Sequence, residues 1–147
     1  MNFNSKKLTS PKQRLGTRLM VFLPVHGRAQ RKAHDAVLRF LTDVVTDDQG
    51  KRPRRVSGLT QSLPKPASFL GCWWSDKQQD WDQEKVSIII IDHDSGPEEP
   101  QFSQFLNELA LEVHRCYQHY DCQQQEVLIA AHPVSGYSYK HQPLHTG

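Results

Sequence analysis

The 147-residue chain has no apolar run approaching the roughly 20 residues that a membrane-spanning helix needs. Its longest, Val86 to Ile91, is interrupted by Ser87 and runs directly into charge. A secretory signal is not expected either, because the polar, basic N-terminus is followed only by the short apolar segment Leu19 to Val25, which ends in His26-Gly27-Arg28. Cysteine is scarce. Cys72, Cys116 and Cys122 are an odd number at irregular spacings, which argues against a disulfide framework and suits a reducing compartment, so the expected location is the cytoplasm. Also missing are a phosphate-binding glycine loop, a nucleophile elbow, a paired-cysteine redox motif and any metal motif of matching spacing, which weakens the case for an enzyme without removing it.

What is present suits one domain with a sizeable core, since 37% of residues are hydrophobic and 23% charged. Nine prolines point to long connections. The formal net charge of +2 conceals an asymmetry: residues 1–58 carry thirteen lysines and arginines against four acids, and residues 59–147 carry five against twelve. A basic N-terminal region of this kind can bind nucleic acid, but it lacks interleaved aromatic residues for stacking on bases, so a solvated surface is the preferred account.

The pattern along the chain predicts alternating elements. Residues 1–16 read as a flexible polar leader. A continuous apolar run, Thr17 to Val25, has the length of a central strand. Ala33, Val37, Phe40, Leu41 and Val44 then fall at helical spacing. In "VSGLTQSLPKPASFLGCWWSD" the prolines Pro64 and Pro66 confine any strand to a sheet edge, whole or in two pieces, because proline cannot donate to a ladder. "KQQDWDQE" reads as a polar hairpin connection and Lys85 to Ile91 as an interior strand. Phe102, Phe105, Leu106, Leu109, Val113, Cys116, Tyr117 and Tyr120 mark the clearest helix, with a stripe that must pack on a sheet. Val127 to Ala131 is the last strand, with a break at Pro133 and Gly136.

Strand, helix, strand, strand, helix, strand fits an α+β sandwich of the ferredoxin-like βαββαβ type, a four-stranded antiparallel sheet with two helices on one face. Residues 17–140 would form this single domain and 141–147 a tail. The first and third strands would be central, and they are expected to run parallel.

The order of elements, with "SGLTQ" before an edge strand, "GCWWSD", "EKVSIIIIDHD" and a helix ending in "QQQEVLIAAHPV", resembles a bacterial family of small ferredoxin-like proteins of unknown function. The resemblance covers about residues 17–135 and implies the fold, with no catalytic residues to carry over.

Candidate chemistry gathers at strand ends. With the first and third strands parallel, His26 would lie beside Asp92, His93 and Asp94, and Asp92, Asp94 and His26 are the residues that would hold a divalent metal. Alternation on a strand lets the two aspartates converge while His93 faces away. The competing account, which is preferred, makes Asp-His-Asp-Ser-Gly-Pro a turn whose carboxylates accept backbone N–H bonds. His114, Cys116, His119 and Cys122 are zinc-ligand types, but on one continuous helix they spread around the axis. Trp73 and Trp74 are adjacent and must face opposite sides of the sheet. With His93, His132 and Tyr137 they make up the expected ligand or partner face, because a sheet with helices on one side needs a cover on the other.

Three functions fit these features. The preferred one is a non-enzymatic binding or regulatory module that forms a homodimer through its open sheet face. A metal-assisted hydrolase or nuclease built on Asp92-His93-Asp94 is the second. The third is a dimeric α+β-barrel protein, oxygenase-like or haem-handling, with His132 or His93 as ligand.

Overall fold

A computed structural model describes residues 12–44, 48–50, 53–61, 68–122 and 128–138, with the backbone alone at 12–15 and 135–138. The elements are β1 (Lys12–Pro24), α1 (Arg28–Thr42), β2 (Gly58–Thr60), β3 (Phe69–Ser75), β4 (Asp80–His93), α2 (Pro100–His119) and β5 (Leu128–Ser138). The architecture is α+β: two helices and a five-stranded sheet ordered β2-β4-β1-β5, with β3 also pairing with β4. Every strand pairing is antiparallel. No described helix is long and apolar enough to cross a membrane.

The sheet has five strands rather than four because the proline-bearing segment yields two edge strands, not one. β2 pairs with residues 90–92 of β4 and β3 with residues 80–86 of the same strand. Residues 62–67, which include Pro64 and Pro66, lie outside the described residues.

The expected parallel pairing of the first and third apolar strands is incorrect, and the connectivity explains why. The chain leaves β1, returns through α1 and runs along β2 and β3 in the direction of β1. The β3–β4 hairpin then reverses it, so β4 opposes β1, with Thr17 facing His93 and Pro24 facing Val86. That hairpin is also tighter than the sequence suggests. Residues 80–84 belong to β4, and residues 76–79 form the turn, with Gln79 at φ 52°.

β1 begins at Lys12, inside the expected leader, and its first residues pair with Ser138 to Val134 of β5. β5 in turn passes through Pro133 and Gly136 without a break. It tolerates proline because among the described residues it pairs only with β1, which leaves one side of its backbone free of ladder bonds.

Residues directly opposite in a ladder share a face. Leu19, Val21, Leu23, Ile89 and Ile91 are fully buried and cluster with Ala33, Val37 and Leu41 of α1 and with Phe102, Phe105, Leu109, Val113 and Tyr117 of α2. Both helices therefore pack on one face of the sheet. Full burial of an isoleucine or leucine there contributes about 1.5–3 kcal/mol. The Tyr117 hydroxyl ties α2 to the sheet by donating to the Pro24 carbonyl at 2.7 Å.

Candidate functional site

The face away from the helices is built by the alternate residues of the same strands. Its centre is apolar: Met20 lies opposite Ile90 and Phe22 opposite Ile88 across β1 and β4, and β5 adds Ala130 and Leu128 opposite Met20 and Phe22. The central four are part-exposed, and Leu128 is 47% exposed. At one edge of this patch Arg18 lies opposite both Asp92 and His132. Its Nε donates to Asp92 Oδ1 at 2.8 Å and its Nη2 to Oδ2 at 3.3 Å. The bond to Asp92 holds the guanidinium above its already high pKa. At the other edge Phe69 and Trp73 come from β3, and the Trp73 indole folds back over Gly71, occupying the space a Cβ there would need. Opposite Gly71, burial pushes the Glu84 carboxyl above the usual carboxylate range.

The Asp-His-Asp triplet does not form a shared carboxylate site with His26. Because β1 and β4 are antiparallel, His26 follows the end of β1 that faces Val86, whereas His93 faces Thr17 at the other end. Seven residues of strand, about 24 Å, separate those positions. The exposed His26 sits at the entry to α1, where the Gln30 side chain accepts its backbone N–H at 2.7 Å.

The two aspartates engage different arginines: Asp92 binds Arg18 on the open face, and Asp94 lies 2.9 Å from Arg54. Among the described residues no three His, Cys, Asp or Glu side chains are grouped to hold a metal ion, and this includes His114, Cys116, His119 and Cys122. His93 points to the helix face, stacked on Phe105 with ring centroids 4.6 Å apart and edge-on to Phe102 at 6.0 Å. Its Nδ1 accepts the Ser95 backbone N–H at 3.1 Å, which leaves the hydrogen on Nε2 in the neutral ring. Burial lowers its pKa, outweighing the carboxylate of Asp94.

The turn after β4 is held differently from expectation. The acceptors of its backbone N–H groups are His93 Nδ1 and the Glu99 carboxylate, which takes the Gly96 N–H at 3.2 Å, rather than the aspartates. Thr17 Oγ1 donates to the Ser95 carbonyl at 2.8 Å and anchors the turn to β1.

Of the residues expected on a partner face, Trp73 and His132 lie on the open face. Trp74 lies on the opposite side with Trp81, the two indoles in edge contact at 5.6 Å, so the alternation read from the adjacent tryptophans holds. His93 does not join that face. Tyr137 falls opposite Gln13 in the β1–β5 ladder, and its side chain lies outside the described residues.

Two features have only faint sequence signals. His34 is fully buried on α1, its Nε2 3.1 Å from Ser87 Oγ and its Nδ1 3.4 Å from Asp35. The order Ser-His-Asp is that of a hydrolase triad, but Ser87 is 2% exposed, so no substrate carbonyl reaches it and the contact ties α1 to β4. The signals are the polar Ser87 in an apolar run and a histidine beside Ala33 on the buried stripe. A cleft of about 830 Å³ also opens between the C-terminal halves of the helices, lined by Arg39, Phe40, Arg55, Glu112, Arg115 and His119 among others. Within it Arg115 binds Glu112, lowering the carboxyl's pKa, and Arg55 lies over the Phe40 ring at 4.2 Å.

The open sheet face thus presents a part-exposed apolar centre with an ion pair at its rim. Comparison with protein-family models, with curated proteins and with solved structures finds no match to this chain.

Proposed function

We propose that this chain is a ferredoxin-like binding or regulatory module that works as a homodimer, with the open sheet faces of two copies packed together. The strand order supports the βαββαβ plan if β2 and β3 together take the place of one edge strand on β4. The observation that carries the reading is the apolar centre formed by Met20, Phe22, Ile88 and Ile90 on the two interior strands. A two-fold contact must be complementary to itself. This face meets that condition, because apolar centre meets apolar centre and the rim pair Arg18–Asp92 presents a cation and an anion that can exchange partners across the axis.

Sedimentation of the full chain at micromolar concentration tests this. The expected species that depends on the face has twice the 16.9 kDa chain mass, and Ile90→Lys, which places a charge in the apolar centre, abolishes it. A wild-type chain whose association is unchanged by Ile90→Lys overturns the reading.

A further inference from the structure

The cleft between the two helices carries more positive charge than its own acids answer. Arg39, Arg55 and Arg115 line it against Asp43 and Glu112. One arginine is satisfied internally: the two carboxylate oxygens of Glu112 accept from Nε and Nη2 of Arg115. Among the described residues neither Arg39 nor Arg55 forms an ion pair.

Arg55 is the more unusual of these two. It belongs to the segment before β2, is only half-exposed, and is held with its guanidinium carbon 4.2 Å from the Phe40 ring centroid. A guanidinium fixed over an aromatic face keeps the N–H groups around its edge free to donate. A part-buried cation with no counter-ion has lost hydration that a bound anion would offset. The partial negative charge at the C-terminus of α1 accounts for Arg39 in its last turn, but Arg55 belongs to no helix. Both arginines act on the same turn of α2. The Glu112 carboxyl is lowered first by the hydrogen bond from Arg115 and further by the charge of Arg55, and the burial that raises the Cys116 thiol is opposed by the charges of Arg115 and Arg39.

The geometry points to this cleft as a binding site for a small organic phosphate, with Arg39 and Arg55 as the clamp on the phosphate. A carboxylate offers two oxygens and is saturated by one guanidinium fork, as Glu112 is by Arg115. A phosphomonoester offers three terminal oxygens and about 1.5–2 negative charges at pH 7, which suits two further guanidiniums. The cleft volume of about 830 Å³ lies within the range of about 300–1,000 Å³ of small-molecule sites. His119 and Tyr120, their rings in edge contact at 4.8 Å, supply an aromatic wall for the body of the ligand.

The helices pack on the other side of the sheet from the open face, so this site stands apart from the dimer proposed there. Calorimetric titration of the full chain with adenosine 5′-monophosphate, ribose 5-phosphate and adenosine tests it. Both phosphates are expected to bind once per chain, and adenosine at least tenfold more weakly than its phosphate. Arg39→Gln, at an exposed position outside the core, and Arg55→Gln should each weaken both phosphates at least tenfold. Arg28→Gln, exposed at the start of α1 and outside the cleft, should leave binding unchanged, and Ile90→Lys should bind as wild type does whatever its oligomeric state. Neither phosphate binding, adenosine binding as tightly as its phosphate, or Arg39→Gln and Arg55→Gln binding like wild type overturns the site. An equal loss in Arg28→Gln shows attraction to positive charge in general and also overturns it, as does loss of binding in Ile90→Lys, which moves the site to a contact between copies.

Discussion

Arg18 and Asp92 lie directly opposite each other on the two interior strands and join through both guanidinium nitrogens that face the carboxylate. Their side chains remain 48% and 35% exposed. An ion pair this wet contributes about 0.2–1 kcal/mol. Asp92→Ala is therefore expected to shift the urea midpoint only slightly, and by less in high salt, where screening weakens the pair in wild type. If Asp92 were instead a metal ligand, the same variant would lose a metal-induced stabilisation. Melting with and without added Mn²⁺ decides between them, and no Mn²⁺-dependent shift is expected in either form.

His93 gives the protein an acid-side sensitivity. Stacked on Phe105 and partly buried, it holds its proton less tightly than the ordinary value of 6.5. As pH falls below about 6.5 the unfolded chain takes up the proton first, so the stability of the neutral, stacked ring is complete above that value. It is lost as pH falls from there through the folded-state pKa. An NMR titration of the ring should give a midpoint below 6.5. The pH dependence of stability in His93→Gln should be shallower than in wild type across that window. A midpoint at or above 6.5 contradicts the burial argument.

The same residue shows what can be read from the sequence and what cannot. The isoleucine run, the stripe of α2 and the alternation of Trp73 and Trp74 are local patterns, set by periodicities of 2 and 3.6 residues, and the structure follows them. Strand direction is not local. Whether His26 or Thr17 neighbours the triplet depends on how many reversals separate β1 from β4, and the hairpin expected before β4 already makes that strand oppose β1, as the antiparallel plan requires. The expected site inherits the error of a parallel pairing: His26 is read as a neighbour of the triplet and lies at the far end of β1. The contact between His34 and Ser87 is only faintly signalled because the two lie 53 residues apart.

Tyr117 makes a long-range side-chain tie in the core, 93 residues from the carbonyl it bonds. Burial pushes its phenol well above the ordinary tyrosine range, so the hydroxyl stays protonated and donates at every working pH. Tyr117→Phe removes that donor and leaves the Pro24 carbonyl without it. A loss of about 1–3 kcal/mol is expected in chemical denaturation, with the fold retained. An unchanged midpoint means that water replaces the hydroxyl.

Two glycines are needed for different reasons. Gly27, before α1, has φ 87° and ψ 169°, a combination almost confined to glycine, and no atom lies within 4 Å of where its Cβ would be. Gly16 has ordinary φ, but a Cβ there would sit 2.2 Å from the His93 carbonyl oxygen. Alanine at either position should cost about 1–3 kcal/mol. The discriminating measurement is the amide spectrum: Gly16→Ala must move β4 near His93 and shift signals there, whereas Gly27→Ala should confine its shifts to the start of α1.

The three thiols should separate by reactivity. Cys116 is 5% exposed, and burial pushes its pKa up to about 11, with the Glu112 carboxylate, 3.6 Å from the sulfur, acting in the same direction. Cys122 is raised in the same direction, again by burial first. The attacking species is the thiolate, so at pH 8 only about one Cys116 in a thousand is in the reactive form, before access is considered. Cys72 is exposed on the edge strand. A thiol-exchange chromogen at pH 8 is thus expected to titrate Cys72 first and to reach Cys116 only on unfolding. A Cys116 that reacts in the folded chain as fast as Cys72 contradicts the burial argument.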